Sequence, residues 1–223
     1  LSLGPDGSFR GPYLHDLTIQ GSPTAGTSQN GLVVDDGTYV YGVRVERVTS
    51  TGAGKYAMYV GNAFSSSFSD IILDNSANYL LFYNSNNMPS NRFTRIDFLN
   101  VRATGPVGAR IYAGEFVCDS CNGLFNVVAA SKWAVVGQKT GVDGSLSNAG
   151  AVFTCNDCNF ESFVANGVLA YANSLINIKG RSTFAADASG SGTAIPIQFD
   201  LAGNGVSFFA EQIARGVIED SVS

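Results

Sequence analysis

The chain is short of charge. Asp, Glu, Lys and Arg make up 14% of its 223 residues, about half the usual share. The polar surface therefore has to come from Ser, Thr, Asn and Gly. Basic residues number 13 against 18 acidic ones, a formal charge of −5. With no basic patch to neutralise phosphates, a nucleic-acid backbone is excluded as a partner. No run of about 20 apolar residues occurs, so no membrane-spanning helix is expected. There is one histidine, His15, followed by Asp16. Neighbours on a strand point to opposite faces, so the two are not expected to form part of a catalytic triad. G-x-S-x-G, H-E-x-x-H, P-loop and dinucleotide fingerprints are all missing, which removes the most readable enzyme classes. No cofactor and no metal ligand set is assigned. Helical signals are scarce as well, because Gly, Asn and Ser interrupt almost every window.

Short strand signals are dense. LTI (17–19), GLVV (31–34), YGVRV (41–45), YAMYV (56–60), DIIL (70–73), YLLFY (79–83), ARIY (109–112) and LFNVV (124–128) are rich in β-branched and aromatic residues. Turn formers punctuate them. Laid over one another, YLHDLTIQG, YVYGVRVERV, SSFSDIILDN, NRFTRIDFLN, GEFVCDSCN and GAVFTCNDCN form a coarse repeat. Its closing residues Asn75, Asn100, Asn122 and Asn159 are separated by 25, 22 and 37 residues. A second strand follows each Asn. A unit this short cannot bury its own apolar face, whereas stacked units share a continuous core. The leucine-rich consensus is absent. The expected fold is all-β, a single-stranded right-handed parallel β-helix of about seven to nine coils. Eight coils at about 4.8 Å each would give a rod of roughly 40 Å. The solenoid is expected over residues 1–190, with residues 191–223 as a capping segment that ends in a short helix or a final strand.

All four cysteines lie in two C-x-x-C-N runs, Cys118/Cys121 and Cys155/Cys158. The repeat stacks Cys118 over Cys155 and Cys121 over Cys158, as two buried columns of small apolar residues. Two other readings stay open. Four converging thiolates would suit zinc, and a bridge between adjacent coils could join Cys118 to Cys155.

Carboxylates are the candidate catalysts. Asp97 and Asp119, 22 residues apart, are expected at similar positions on neighbouring coils, with Glu115 close by. Two carboxyls about 5–10 Å apart can cleave a glycosidic bond as acid and base, or as acid and nucleophile. In the second strand family, inward Met58, Leu81 and Ile111 send Tyr59, Phe82, Arg110 and Tyr112 outward, as a candidate substrate-binding ladder. Tyr56, Tyr79 and Tyr83 fall on the opposite parity. A row of exposed aromatics serves either as a sugar platform or as a subunit interface. Trp133 fits either role or neither.

The coils LHDLTIQG, YGVRVERV, SDIILDN and TRIDFLNV resemble the right-handed parallel β-helix of pectate-lyase-like proteins. The low-charge composition, with a start at Leu1 that reads as an excised fragment of a longer chain, further resembles the receptor-binding tailspikes of bacteriophages. That resemblance implies a homotrimer in a virion tail or another extracellular setting, with no membrane insertion. It also implies binding of a bacterial surface polysaccharide, with hydrolysis by a carboxylate pair. The alternatives are a lyase or epimerase acting on uronic-acid polymers, and a non-catalytic structural or adhesion module. The Arg-containing active-site run of pectate lyases is not found in this sequence.

Overall fold

The structure is a computed structural model. It describes residues 2–3, 11–21, 29–35, 40–85, 91–99, 107–124, 131–138, 150–171, 173–186, 195–200, 207–210 and 218–221. Its described elements are strands, and they pair in parallel into a β-solenoid. One ladder, the corner sheet, runs through Tyr13–Gln20, Arg44–Thr51, Ser67–Asp74, Asn91–Leu99, the second half of Val107–Asp119, Ala151–Asn156, Ser174–Lys179 and Ser207–Ala210. Past its corner the later coils continue as Asn122–Leu124, Asn159–Phe163 and Thr183–Ala186. The other ladder, the aromatic sheet, runs through Ser2–Leu3, Leu32–Val34, Tyr56–Gly61, Tyr79–Asn84, the first half of Val107–Asp119, Lys132–Val136, Asn166–Ala170, Ile195–Asp200 and Ile218–Ser221. The strand Val107–Asp119 belongs to both. It turns between them at Gly114, whose φ is +89° and where any Cβ would lie 2.1 Å from the Ser85 carbonyl oxygen.

A bend in each coil organises the corner sheet. Asp16, Arg47, Asp70, Arg95, Ser120 and Asp157 all sit in the left-handed region, with φ between 50° and 54°. An L-residue seldom adopts that conformation. Here it swings the chain so that the residues before and after the bend both face inward. The column before the bend reads Leu14, Val45, Phe68, Phe93, Cys118, Cys155, Ile178. The column after it starts Leu17, Val48, Ile71, Ile96. Cys121 and Cys158 follow, because Asn122 stands over Asp97 and Asn159 over Asn122. All four cysteines are fully buried, as their stacking predicts. Cys118 and Cys121 are joined by a disulfide, while Cys155 and Cys158 are free. This bridge within a coil is a pairing the spacing did not suggest.

The first four bend residues alternate in sign. Arg47 grips Asp16 with two hydrogen bonds, Nε–Oδ1 at 2.5 Å and NH2–Oδ2 at 2.9 Å. Arg95 holds Asp70 in the same way, at 2.5 and 2.7 Å. His15 Nδ1 lies 2.7 Å from Asp16 Oδ2. Strict alternation predicted opposite faces for that pair; the left-handed bend at Asp16 breaks the alternation.

Inside, Phe68 stacks on Phe93 at 4.5 Å between ring centroids, and Phe93 packs on Phe116 at 4.4 Å. Trp133 is buried and donates from Nε1 to the Glu161 carbonyl at 2.9 Å. It fills space left by Gly108 and Gly123, where a Cβ would lie 2.8 and 2.5 Å from the indole.

Near the C-terminus the strands Ser207–Ala210 and Ile218–Ser221 continue the two ladders. Residues 211–217 of the expected helix-or-strand lie outside the described residues, as do Asn100, most of LFNVV and the boundary at 190.

Candidate functional site

Five rings gather on the outer face of the aromatic sheet. Register places Tyr59 beside Phe82 and Tyr56 beside Tyr79. Tyr59 and Phe82 stack at 5.6 Å with planes 7° apart. Tyr56 and Tyr79 stack at 5.5 Å and 10°. Phe82 sits at the centre and touches all four tyrosines, Tyr56 at 5.0 Å, Tyr59 at 5.6 Å, Tyr79 at 5.9 Å and Tyr112 at 6.0 Å. All five are half-buried. Lys55 Nζ caps one end, 4.7 Å above the Tyr56 ring.

Met58, Leu81 and Ile111 do face inward, fully buried. The parity expected for Tyr56 and Tyr79 is corrected. Ala57 and Met58, like Leu80 and Leu81, are consecutive buried residues. That double inward step brings Tyr56 and Tyr79 to the same outer face as Tyr59 and Phe82. Tyr83 is inward and fully buried. Arg110 stands in register with Phe82, and the pairing then shifts between Ile111 and Ala113, which leaves Tyr112 as the extra residue. Arg110 is 5% exposed. Its NH1 donates to the carbonyls of Val135 at 3.2 Å and Gly137 at 2.5 Å. The guanidinium lies 5.3 Å from the Tyr112 ring and 5.9 Å from that of Tyr171. It therefore anchors the two rings from below.

The sequence reading missed a polar edge to this face. Asp35, Gly61 and Asn84 follow in the next register positions, since Val34 pairs with Val60 and Gly61 with Asn84. Asp35 and Asn84 both hydrogen-bond the Tyr59 hydroxyl, and burial with the Asp35 charge holds that phenol above its usual range. Gly61 makes the approach possible, since a Cβ there would lie 2.4 Å from Asp35 Oδ2. Asn84 Oδ1 is buried and has no hydrogen-bond partner in the structure. An acceptor in that state calls for a donor. A repeated spacing of 23 residues, Tyr56 to Tyr79 and Tyr59 to Phe82, was the signal that could have assembled this cluster from sequence.

The carboxylate candidates lie on the other sheet. Register refutes the expected equivalence of Asp97 and Asp119. Asp97 pairs with Asn122, and Asp119 pairs with Thr94. The local period is 25 residues, not 22, so the bends at Arg95 and Ser120 separate the two. Asn122 Nδ2 donates to Asp97 Oδ1 at 3.2 Å. Asp119 accepts from Asn156 Nδ2 and lies 3.7 Å from Arg92 NH1. Glu115, four residues before Asp119 on one strand, is about 13 Å away along it. Glu115 and Asp119 are therefore too far apart along the strand to act as one pair. A shallow recess of about 230 Å³ does open beside Asp97, lined by Leu99, Asn122, Gly123, Leu124, Asn159 and Glu161. In it Asn159 Nδ2 donates to Glu161 Oε1 at 2.8 Å.

No family model matches the chain, and no curated protein matches it. Among solved structures it is similar to one described as the crystal structure of pectate lyase Pel9A. The identity is 14%, over 94% of this chain and 71% of that one, with a TM-score of 0.30. The parallel β-solenoid is defined by the strand pairings of this chain itself.

Proposed function

We propose that the protein is a carbohydrate-binding β-solenoid module, and that the ring cluster around Phe82 is the platform on which a polysaccharide chain lies. The observation that carries this reading is the combination of stacked, half-buried rings with a polar edge. Pyranose rings offer apolar C–H faces to aromatic rings, while their hydroxyls both donate and accept. The Asp35 carboxylate supplies an acceptor at that edge, and Asn84 holds the Tyr59 hydroxyl in place beside it. The sparse charge of the chain suits a ligand read through neutral hydrogen bonds. A bacterial surface polysaccharide bound by a homotrimeric, tailspike-like particle is the specific form of this reading.

A test is titration of the purified protein with capsular and O-antigen polysaccharides, followed calorimetrically, with Asn84→Ala and Asp35→Ala alongside. Binding by the wild type that both variants weaken supports the reading. Binding that neither variant alters would remove this face from it.

The recess favours a second reading, hydrolysis, because Glu161 lines it and Asn122 on its wall hydrogen-bonds Asp97, which lies behind that wall. New reducing ends that vanish in Asp97→Asn and in Glu161→Gln would support it. Absorbance of unsaturated uronates would point to a lyase instead.

A further inference from the structure

We propose that Cys155 and Cys158 form a second disulfide, stacked one coil away from the Cys118–Cys121 bridge, so that the buried corner of the oxidised protein carries two bridges. Cys118 and Cys121 flank Ser120, with φ 53°, and their Cα atoms are 5.9 Å apart, inside the range a disulfide spans. Cys155 and Cys158 flank Asp157, with φ 50°, in the same arrangement. Register superposes the two bends, with Cys118 over Cys155 and Asn122 over Asn159. Both thiols are fully buried and contact each other. A backbone that closes the first bridge thus presents the same two inward positions, three residues apart around the same bend, one coil later.

The surroundings favour a bridge over a metal. Sulfur atoms of Cys118, Cys121 and Cys158 lie within 4.8 Å of one another, a spacing that thiolate ligation of a soft ion would tolerate. Yet Cys158 Sγ faces the carbonyl oxygens of Cys118 at 3.4 Å and Asn156 at 3.5 Å. Carbonyl oxygens repel a thiolate and accept from a thiol. Burial also pushes the Cys155 thiol up, toward its neutral form.

The oxidant is a low-molecular-weight disulfide such as oxidised glutathione. The Cys158 thiolate attacks it and releases one small thiol. Cys155 then attacks the mixed disulfide at the Cys158 sulfur and releases the second. Two protein thiols and one small disulfide become one protein disulfide and two small thiols, and the two protons end on the latter. Since the folded thiols are buried, the exchange takes place before the coil closes over them.

The test uses the full-length wild-type chain, refolded with an excess of oxidised glutathione. It is then unfolded in guanidinium with N-ethylmaleimide and no reductant, digested at acid pH and mapped by mass spectrometry. The expected result is that the peptides holding 118–121 and 155–158 are each unlabelled and each lack two hydrogens. Two maleimides on Cys155 and Cys158 would overturn the proposal. A cross-link joining the two peptides would also overturn it. So would one equivalent of zinc in the native protein with all four thiols labelled.

Discussion

Tyr83 shows how one side chain can link two adjoining turns of the rod. Its ring is fully buried, and its hydroxyl donates to the Glu115 carbonyl at 2.7 Å while accepting from Asn91 Nδ2 at 2.9 Å. Burial pushes this phenol up to about 12, against about 10 in the unfolded chain. The folded state therefore holds the proton more tightly. The stabilisation is complete below pH about 10 and is lost as pH rises toward 12, and it amounts to roughly 2–3 kcal/mol. Denaturant titrations of the wild type should show stability falling across that window. Tyr83→Phe should be less stable at neutral pH by about 1–2 kcal/mol, with the bonds to the Glu115 carbonyl and from Asn91 lost, and should show a flatter alkaline limb. Identical limbs would dismiss the phenol as their cause. At the bend, the Arg95 guanidinium holds the Asp70 carboxyl below its ordinary value. That stabilisation is present above about pH 4 and lost as pH falls through the lowered value. Asp70→Asn should therefore melt below the wild type at neutral pH and low salt, and the gap should close in acid and at high salt. A gap that stays constant from neutral pH to pH 2 would mean the ion pair is not its source.

The bend is also the element that decides what the sequence could disclose. Steps along the column from Leu14 to Val45, Phe68, Phe93, Cys118, Cys155 and Ile178 are 31, 23, 25, 25, 37 and 23 residues. No fixed period describes them, so aligning closing asparagines placed Asn122 three residues out of register. The two C-x-x-C runs aligned correctly because both cysteines of each face inward around one bend. Strand identity and the parallel solenoid were legible, since alternation survives within each short strand. The left-handed residues were not legible, because Asp, Arg and Ser occupy a position where glycine or asparagine would have marked it. The column itself makes a sharp prediction. Phe93 is fully buried between Phe68 and Phe116, and Phe93→Ala should cost about 3–5 kcal/mol by cavity formation. Chemical denaturation would reveal it, and a loss under about 1 kcal/mol would mean that neighbouring coils collapse into the space. Reduction of the Cys118–Cys121 bridge acts more gently. It opens a very short loop, so the loss expected from chain entropy is about 2 kcal/mol.

At the scale of the whole molecule, a parallel solenoid converts a repeat in sequence into a row in space. Two residues 23 apart become neighbours at about 4.8 Å, close to the thickness at which rings stack. Tyr56 with Tyr79 and Tyr59 with Phe82 are the direct product of that conversion. The outward half of the cluster could be read from alternation. Asp35 and Asn84 could not, because each falls just past the apolar run of its strand, outside any repeated motif. A row of this kind suits a chain-like ligand, which meets the same chemistry at each step along the rod. Phe82 touches four other rings, so it anchors the platform more than any single tyrosine does. Phe82→Ala should weaken polysaccharide binding by about tenfold or more, which corresponds to about 1.4 kcal/mol. Tyr41→Ala, on a ring 52% exposed in a separate two-strand pairing, should leave binding unchanged. The measurement that separates a platform from a subunit interface is light scattering on both variants beside the titration. Weakened binding with an unchanged mass locates the ligand on the rings. A drop in mass for Phe82→Ala, with binding per chain intact, would mean that the rings join one copy of the protein to another.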